Sequence, residues 1–192
     1  MKVGLFFGSF NPIHVGHLVL ANYMLEFTDM ERIWFVVSPQ NPLKQKKTLL
    51  SDIQRLQLVR LAIGDNTKMK ASNVEFKLPQ PSYTVNTLAH LTEQFPDHQF
   101  SLIMGEDNLQ SFKKWKNYEF ILEHYSIYVY PRPGADGGEL KNHPAVHFTE
   151  APLMEISSTF LREAIRNKKD VRYYFPPAVW DYVKEMHFYE KK

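Results

Sequence analysis

An open, parallel α/β sheet with helices on both faces is the fold class this chain predicts, and three observations carry it. Apolar runs short enough for strands alternate with helical patterns of ten or more residues, which is the mark of βαβ units rather than hairpins. The first apolar run, Val3 to Phe7, feeds a tight turn that opens a helix, Gly8-Ser9-Phe10-Asn11-Pro12-Ile13-His14-Val15-Gly16-His17. No internal repeat or linker divides the 192 residues, so one domain over 1–192 is expected.

The elements follow in order. Lys2–Gly8 reads as a buried strand and Gly16–Thr28 as a helix with an apolar body of Leu18, Val19, Leu20, Ala21, Met24 and Leu25. Arg32–Val37 is a second strand, followed by a polar loop through Pro39–Leu50. Ser51 with Gln54 forms a capping box, and the helix behind it is expected to bury Ile53, Leu56, Val59 and Ile63. A short strand lies near Lys68–Ser72, a helix over Tyr83–Gln94, and a strand over Phe100–Met104 that ends in Gly105. Short helices across Asn108–His124, strands at Ser126–Tyr130 and Val146–Phe148, and helices at Ser158–Arg166 and Pro177–Met186 complete the chain. Pro131–His143, rich in Pro and Gly, is the one loop of disordered character.

Composition narrows the function classes. A 44% hydrophobic content supports a core. A net charge of +2 argues against a polybasic nucleic-acid arm. The absence of cysteine excludes disulfides and Cys-ligated metal. No stretch nears the roughly 18 apolar residues of a membrane span, and the N-terminus starts on a strand rather than a signal peptide. A cytoplasmic protein with no membrane or nucleic-acid partner is the expectation. Whether it forms a homo-oligomer is left open.

In open parallel sheets ligands bind beyond the carboxyl ends of the strands. That rule selects Gly8–His17, Pro39–Lys47 and Gly105–Asn108. The chain has neither a Walker-type phosphate loop nor a G-x-G-x-x-G turn. His14-Val15-Gly16-His17 offers another route to a nucleotide phosphate: a helix N-terminus favours anions, Gly16 permits close approach, and two imidazoles add donors. A lone histidine in a loop is usually unremarkable, and a zinc site lacks a third ligand nearby. Two histidines around a glycine at a helix start favour the phosphate reading.

The segment from Gly8 to His17 resembles the signature of the HxGH nucleotidyltransferase superfamily, which has a Rossmann-like fold. Ile156-Ser157-Ser158-Thr159-Phe160-Leu161-Arg162 resembles its second signature. Three further segments resemble the nicotinate mononucleotide adenylyltransferase branch: Ser82-Tyr83-Thr84 with Asn86, Thr87 and Leu88; Met104-Gly105-Glu106-Asp107 with Phe112 and Trp115; and Tyr174-Phe175-Pro176 with Val179 and Tyr182. The likeness spans the whole chain. It implies transfer of an adenylyl group from magnesium-ATP, the Mg2+ arriving with ATP and no metal bound by the protein itself. His14, His17 and Arg162 are the implied catalytic residues. Gly8, Ser9, Phe10, Gly16, Gly105, Asp107, Ile156, Ser157 and Ser158 are the implied ATP contacts, with the helical part from about 157 to 192 completing that site. Lys44, Tyr83, Thr84, Asn86 and Trp115 are implied for nicotinate mononucleotide, Thr84 for its carboxylate and Trp115 to stack on its ring. Arg55 matches an arginine of the family's second helix. Asn11 and Asn86 stand where the family commonly has Asp, Phe7 where it often has Gly, and Leu43 where His usually precedes the lysine. Two other functions are weighed beside this one: a related transferase with a different phosphate acceptor, and a nucleotide sensor without turnover.

Overall fold

The structure, a computed structural model, describes residues 1–39 and 49–191. Among these, six strands form one parallel sheet in the order β3-β2-β1-β4-β5-β6. The strands are β1 (Lys2–Gly8), β2 (Arg32–Val37), β3 (Met69–Ser72), β4 (Gln99–Gly105), β5 (Ser126–Tyr130) and β6 (Val146–Phe148). Seven α-helices connect and flank them: α1 (Val15–Phe27), α2 (Asp52–Ile63), α3 (Thr84–Gln94), α4 (Glu106–Gln110), α5 (Tyr118–His124), α6 (Ser158–Arg166) and α7 (Pro177–Glu185).

Strand alternation splits the core into two layers. Phe6, Ile33, Phe35, Val37 and Ile103 face one way and meet Leu20 and Met24 of α1, Val59 of α2, Leu161 of α6 and Val179 of α7. Val3, Leu5, Trp34, Val36, Leu102 and Val129 face the other way and meet Leu88 of α3 and Ile121 of α5. Helices therefore cover both faces, as the alternating pattern requires. The strand order reverses between β1 and β4, which places the ligand-binding crevice of such a sheet at their carboxyl ends.

Two expectations are corrected. Ile53 is 76% exposed, and the buried stripe of α2 is Arg55, Leu56, Leu58 and Val59. The helix is turned so that the Arg55 guanidinium, not Ile53, enters the interior. Its Nη1 donates to Ser9 O at 2.6 Å and Ser38 O at 2.7 Å, Nε to Leu50 O at 3.1 Å, and Nη2 to Asp52 Oδ1 at 2.6 Å. Arg55 thus ties the segments leaving β1 and β2, and its role in the fold is structural. The Pro131–His143 loop is ordered. Gly134, Gly137 and Gly138 take positive φ, which lets the chain coil against α4. There Gln110 Nε2 donates to Asp136 Oδ1 at 2.5 Å and Lys113 pairs with Glu139. The Ser51–Gln54 capping box is present, with Gln54 N donating to Ser51 Oγ at 3.3 Å.

Candidate active site

Two cavities lie side by side at the crevice between β1 and β4. The first, about 210 Å³, is lined by His14, Gly16 and His17 from the start of α1, Asp107 and Asn108 from α4, Arg132 after β5, and Ile156, Ser157 and Ser158 at the start of α6. Two long helices, α1 and α6, therefore bring their N-termini to one small space, and their unpaired N–H groups make it attractive to anions.

Local chemistry builds each wall. His14 caps α1 in extended backbone, and its N–H donates to His17 Nδ1 at 3.2 Å. That bond puts the His17 proton on Nε2. The two rings lie 3.8 Å apart, centroid to centroid. A Cβ on Gly16 would sit 3.0 Å from His14 Nδ1, so only glycine leaves the ring where it is. His14 is 3% exposed, and burial, with Arg132 nearby, lowers its pKa to about 4. Burial, then His14 and Arg132, push His17 well below its ordinary value too. Both imidazoles are therefore neutral donors at neutral pH.

The α6 wall is sewn to the β1–α1 turn. Ser158 Oγ donates to Pro12 O at 2.9 Å, and Arg162 Nη1 to Asn11 O at 2.7 Å. Ser157 Oγ caps α6 by accepting from Phe160 N at 3.2 Å. Arg162 thus lies behind the turn rather than on the lining of the first cavity, and Arg132 supplies its guanidinium. Arg132 passes over Gly105, where a Cβ would meet Asp107 Oδ1 and the Arg132 side chain, and it lies 3.6 Å from the Asp107 carboxylate. Asn11 Oδ1 accepts from Leu50 N at 3.2 Å and Tyr189 Oη at 2.8 Å. The amide in place of the family's usual Asp therefore joins three distant segments.

The second cavity, about 330 Å³, is lined by Phe7 and Gly8, Ser38 and Pro39, Glu75, Gln80 to Ser82, Thr84, Asn108 and Trp115. The Trp115 ring leans on Phe112 at 4.9 Å. Thr84 opens α3, and Asn86 N and Thr87 N both bond back to Tyr83 O. Asn108 lines both cavities, so they meet at the carboxyl end of β4.

Of the residues expected from the sequence, His14, Gly16, His17, Asp107, Ile156, Ser157 and Ser158 line the first cavity, and Gly8, Thr84 and Trp115 the second. Phe10 is buried under His17, with ring centroids 5.2 Å apart. Ser9 offers its carbonyl to Arg55. Tyr83 lies beneath the Lys116 ammonium, 4.4 Å from the ring centre, and Asn86 is exposed. Lys44 is outside the described residues. Asn108 ends the Gly105–Asn108 stretch that the strand-end rule selects, whereas Arg132 and Glu75 were not singled out from the sequence. The strand-end rule reaches Arg132, two residues beyond β5, but the Pro/Gly content of its loop hid it.

Among the described residues, no three His, Asp or Glu side chains converge as a cation cage, and no helix is long and apolar enough to cross a membrane. The donor set of the first cavity suits phosphate oxygens. It fits a divalent ion that arrives already bound to them.

A family model described as cytidylyltransferase-like matches residues 5–164. The chain belongs to that family. Among cytidylyltransferase-like relatives it is 58% identical to a "probable nicotinate-nucleotide adenylyltransferase" of Flavobacterium johnsoniae, over all of both chains. It is 47% identical to a protein of the same name from Bacteroides thetaiotaomicron, covering 96% of this chain and 92% of that one. Plasmodium falciparum nicotinic acid mononucleotide adenylyltransferase, solved in complex with NaAD, shares the fold with a TM-score of 0.79 at 19% identity. That match covers 98% of this chain and 97% of the other.

Proposed function

We infer that this cytidylyltransferase-like chain is a nicotinate-nucleotide adenylyltransferase of NAD biosynthesis. It transfers the adenylyl group of ATP to nicotinate mononucleotide, giving nicotinate adenine dinucleotide and pyrophosphate. High identity to relatives of that name supports the reaction. The paired cavities that share Asn108 support the layout, because two bound substrates must meet at one phosphorus.

ATP enters as its magnesium complex, with the triphosphate in the first cavity. A phosphate oxygen of nicotinate mononucleotide in the second cavity attacks the α-phosphorus in line. The new P–O bond forms as the bond to the β-phosphate oxygen breaks, and pyrophosphate leaves with the electron pair. Such a step needs positioning and charge stabilisation rather than a covalent enzyme intermediate. His17 Nε2–H, His14, the α1 and α6 N-termini and Arg132 stabilise the leaving phosphates. Arg162 and Ser158 hold the turn that carries the histidines, and Arg162 acts on the triphosphate through that turn. Thr84 and the first N–H groups of α3 receive the nicotinate carboxylate, and Trp115 meets the pyridinium ring.

Pyrophosphate release with magnesium-ATP, offering nicotinate mononucleotide and nicotinamide mononucleotide in parallel, tests this. Strong preference for the acid is expected. His17→Ala is expected to lower kcat by about 10²–10³-fold in a protein that still folds. Near-normal turnover of the folded variant overturns the assignment of His17. The absence of release with either acceptor from the wild type leaves a transferase with another phosphate acceptor or the sensor reading.

A further inference from the structure

The carboxylate of Glu75 takes no part in the chemistry above, yet it forms the floor of the acceptor cavity. Glu75 lies in the short turn Val74–Lys77 and is 3% exposed. A carboxylate so buried persists only where its oxygens are satisfied. Three hydroxyls from three separate segments do this. Thr87 Oγ1 in α3 donates to Oε1 at 2.8 Å, Ser82 Oγ donates to Oε2 at 3.3 Å, and Ser38 at the end of β2 also hydrogen-bonds the carboxylate. Burial pushes the Glu75 pKa up, and these bonds pull it back. The backbone repeats the grip: Gln80 Nε2 donates to Glu75 O at 3.0 Å, while Gln80 Oε1 accepts from Ser82 N at 3.2 Å.

A hydroxyl has one proton and two lone pairs. Ionised Glu75 has no proton to give, so each hydroxyl bonded to it must spend its own proton there. Ser38 and Ser82 both line the cavity. What they can still offer a ligand is lone pairs. That is the wrong polarity for a carboxylate or a phosphate and the right one for a hydroxyl group. Thr84, on the same lining but not bonded to Glu75, keeps its proton for an anion. The cavity is thereby divided into a donor side at Thr84 and an acceptor side at Ser38 and Ser82.

We propose that Glu75 is a positioning residue that fixes the protons of Ser38 and Ser82 inward, so that these side chains accept hydrogen bonds from the sugar hydroxyls of the acceptor nucleotide. The proposal rests on the acceptor reading given above. Glu75→Gln keeps the shape but adds an NH₂ donor, which must face at least one of the hydroxyl oxygens and release that proton outward.

The test measures KM for nicotinate mononucleotide, for its 2′,3′-dideoxy analogue and for magnesium-ATP, in the wild type and Glu75→Gln. The variant is expected to raise KM for the ribonucleotide about tenfold and leave that for ATP unchanged. The dideoxy analogue, poorer with the wild type, is expected to lose little more in the variant, because the two changes remove one interaction. Equal penalties on both acceptors, or a parallel rise in KM for ATP, overturn the proposal and leave Glu75 a fold residue. If Glu75→Gln does not fold, Ser82→Ala carries the same comparison with the same expected coupling. Failure of the wild type to use nicotinate mononucleotide at all removes the acceptor reading and this proposal with it, whereas additive penalties with wild-type turnover intact remove Glu75 alone.

Discussion

His14 shows how far a single side chain can be pushed from its solution chemistry. Its pKa is about 4 in the folded chain against 6.5 when unfolded. Unfolding therefore takes up a proton between those values. The stability present above pH 6.5 is lost as the pH falls through that window toward 4. Between pH 7 and pH 5 His14 alone is expected to lower unfolding free energy by about 2 kcal/mol, and His17, shifted the same way, adds to the slope. Denaturant unfolding at both pH values checks this: His14→Gln is expected to lose less stability across the window than the wild type. An identical loss in both proteins contradicts it. That the two histidines come together was legible in the sequence, because local spacing around Gly16 brings their rings to one helix start. Their protonation was not, since that depends first on burial in the folded chain and then on Arg132, which arrives from beyond β5. Glu75 was invisible for the same reason: a lone acid in a short turn gains meaning only when Ser38, Ser82 and Thr87 close on it.

Elements obeyed their local rules where the core decides and departed where a polar group does. The strands and α1 were readable from the lengths of their apolar runs and the turn signals between them, because such runs must be buried on a two-sided sheet or against it. α2 was placed correctly but rotated wrongly, since Arg55 outranks Ile53 for the interior by satisfying the carbonyls of Ser9, Ser38 and Leu50. Arg55→Ala is expected to cost about 3–5 kcal/mol by leaving those carbonyls without a donor. Arg55→Lys is expected to recover only part of that, because a single ammonium cannot copy the planar fork. Thermal unfolding of the two variants separates these outcomes. A melting temperature for Arg55→Ala equal to the wild type would mean α2 does not need its buried cation.

At the scale of the molecule, the site is joined by bonds that span almost the whole sequence. Ser158 reaches Pro12, Arg162 and Tyr189 reach Asn11, and none is implied by any local pattern. Ser158→Ala is expected to cost about 1–2 kcal/mol and to raise KM for ATP several-fold while that for nicotinate mononucleotide stays put, since only the wall of the first cavity is loosened. Steady-state kinetics with each substrate varied in turn checks the split.

The same long-range sewing has a consequence for synthesis. The ribosome delivers β1 and the histidine turn first and α6 more than a hundred residues later. A nascent chain that has reached β6 already holds every strand of the sheet, yet Pro12 and Asn11 still wait for Ser158 and Arg162. Leu161 of α6 and Val179 of α7, which help cover one face of the sheet, arrive with them, so one core layer and the wall of the first cavity are completed together. Chains arrested in between carry every strand but leave part of that face bare, which makes the residues from Ser158 onward the ones a quality-control system would find missing.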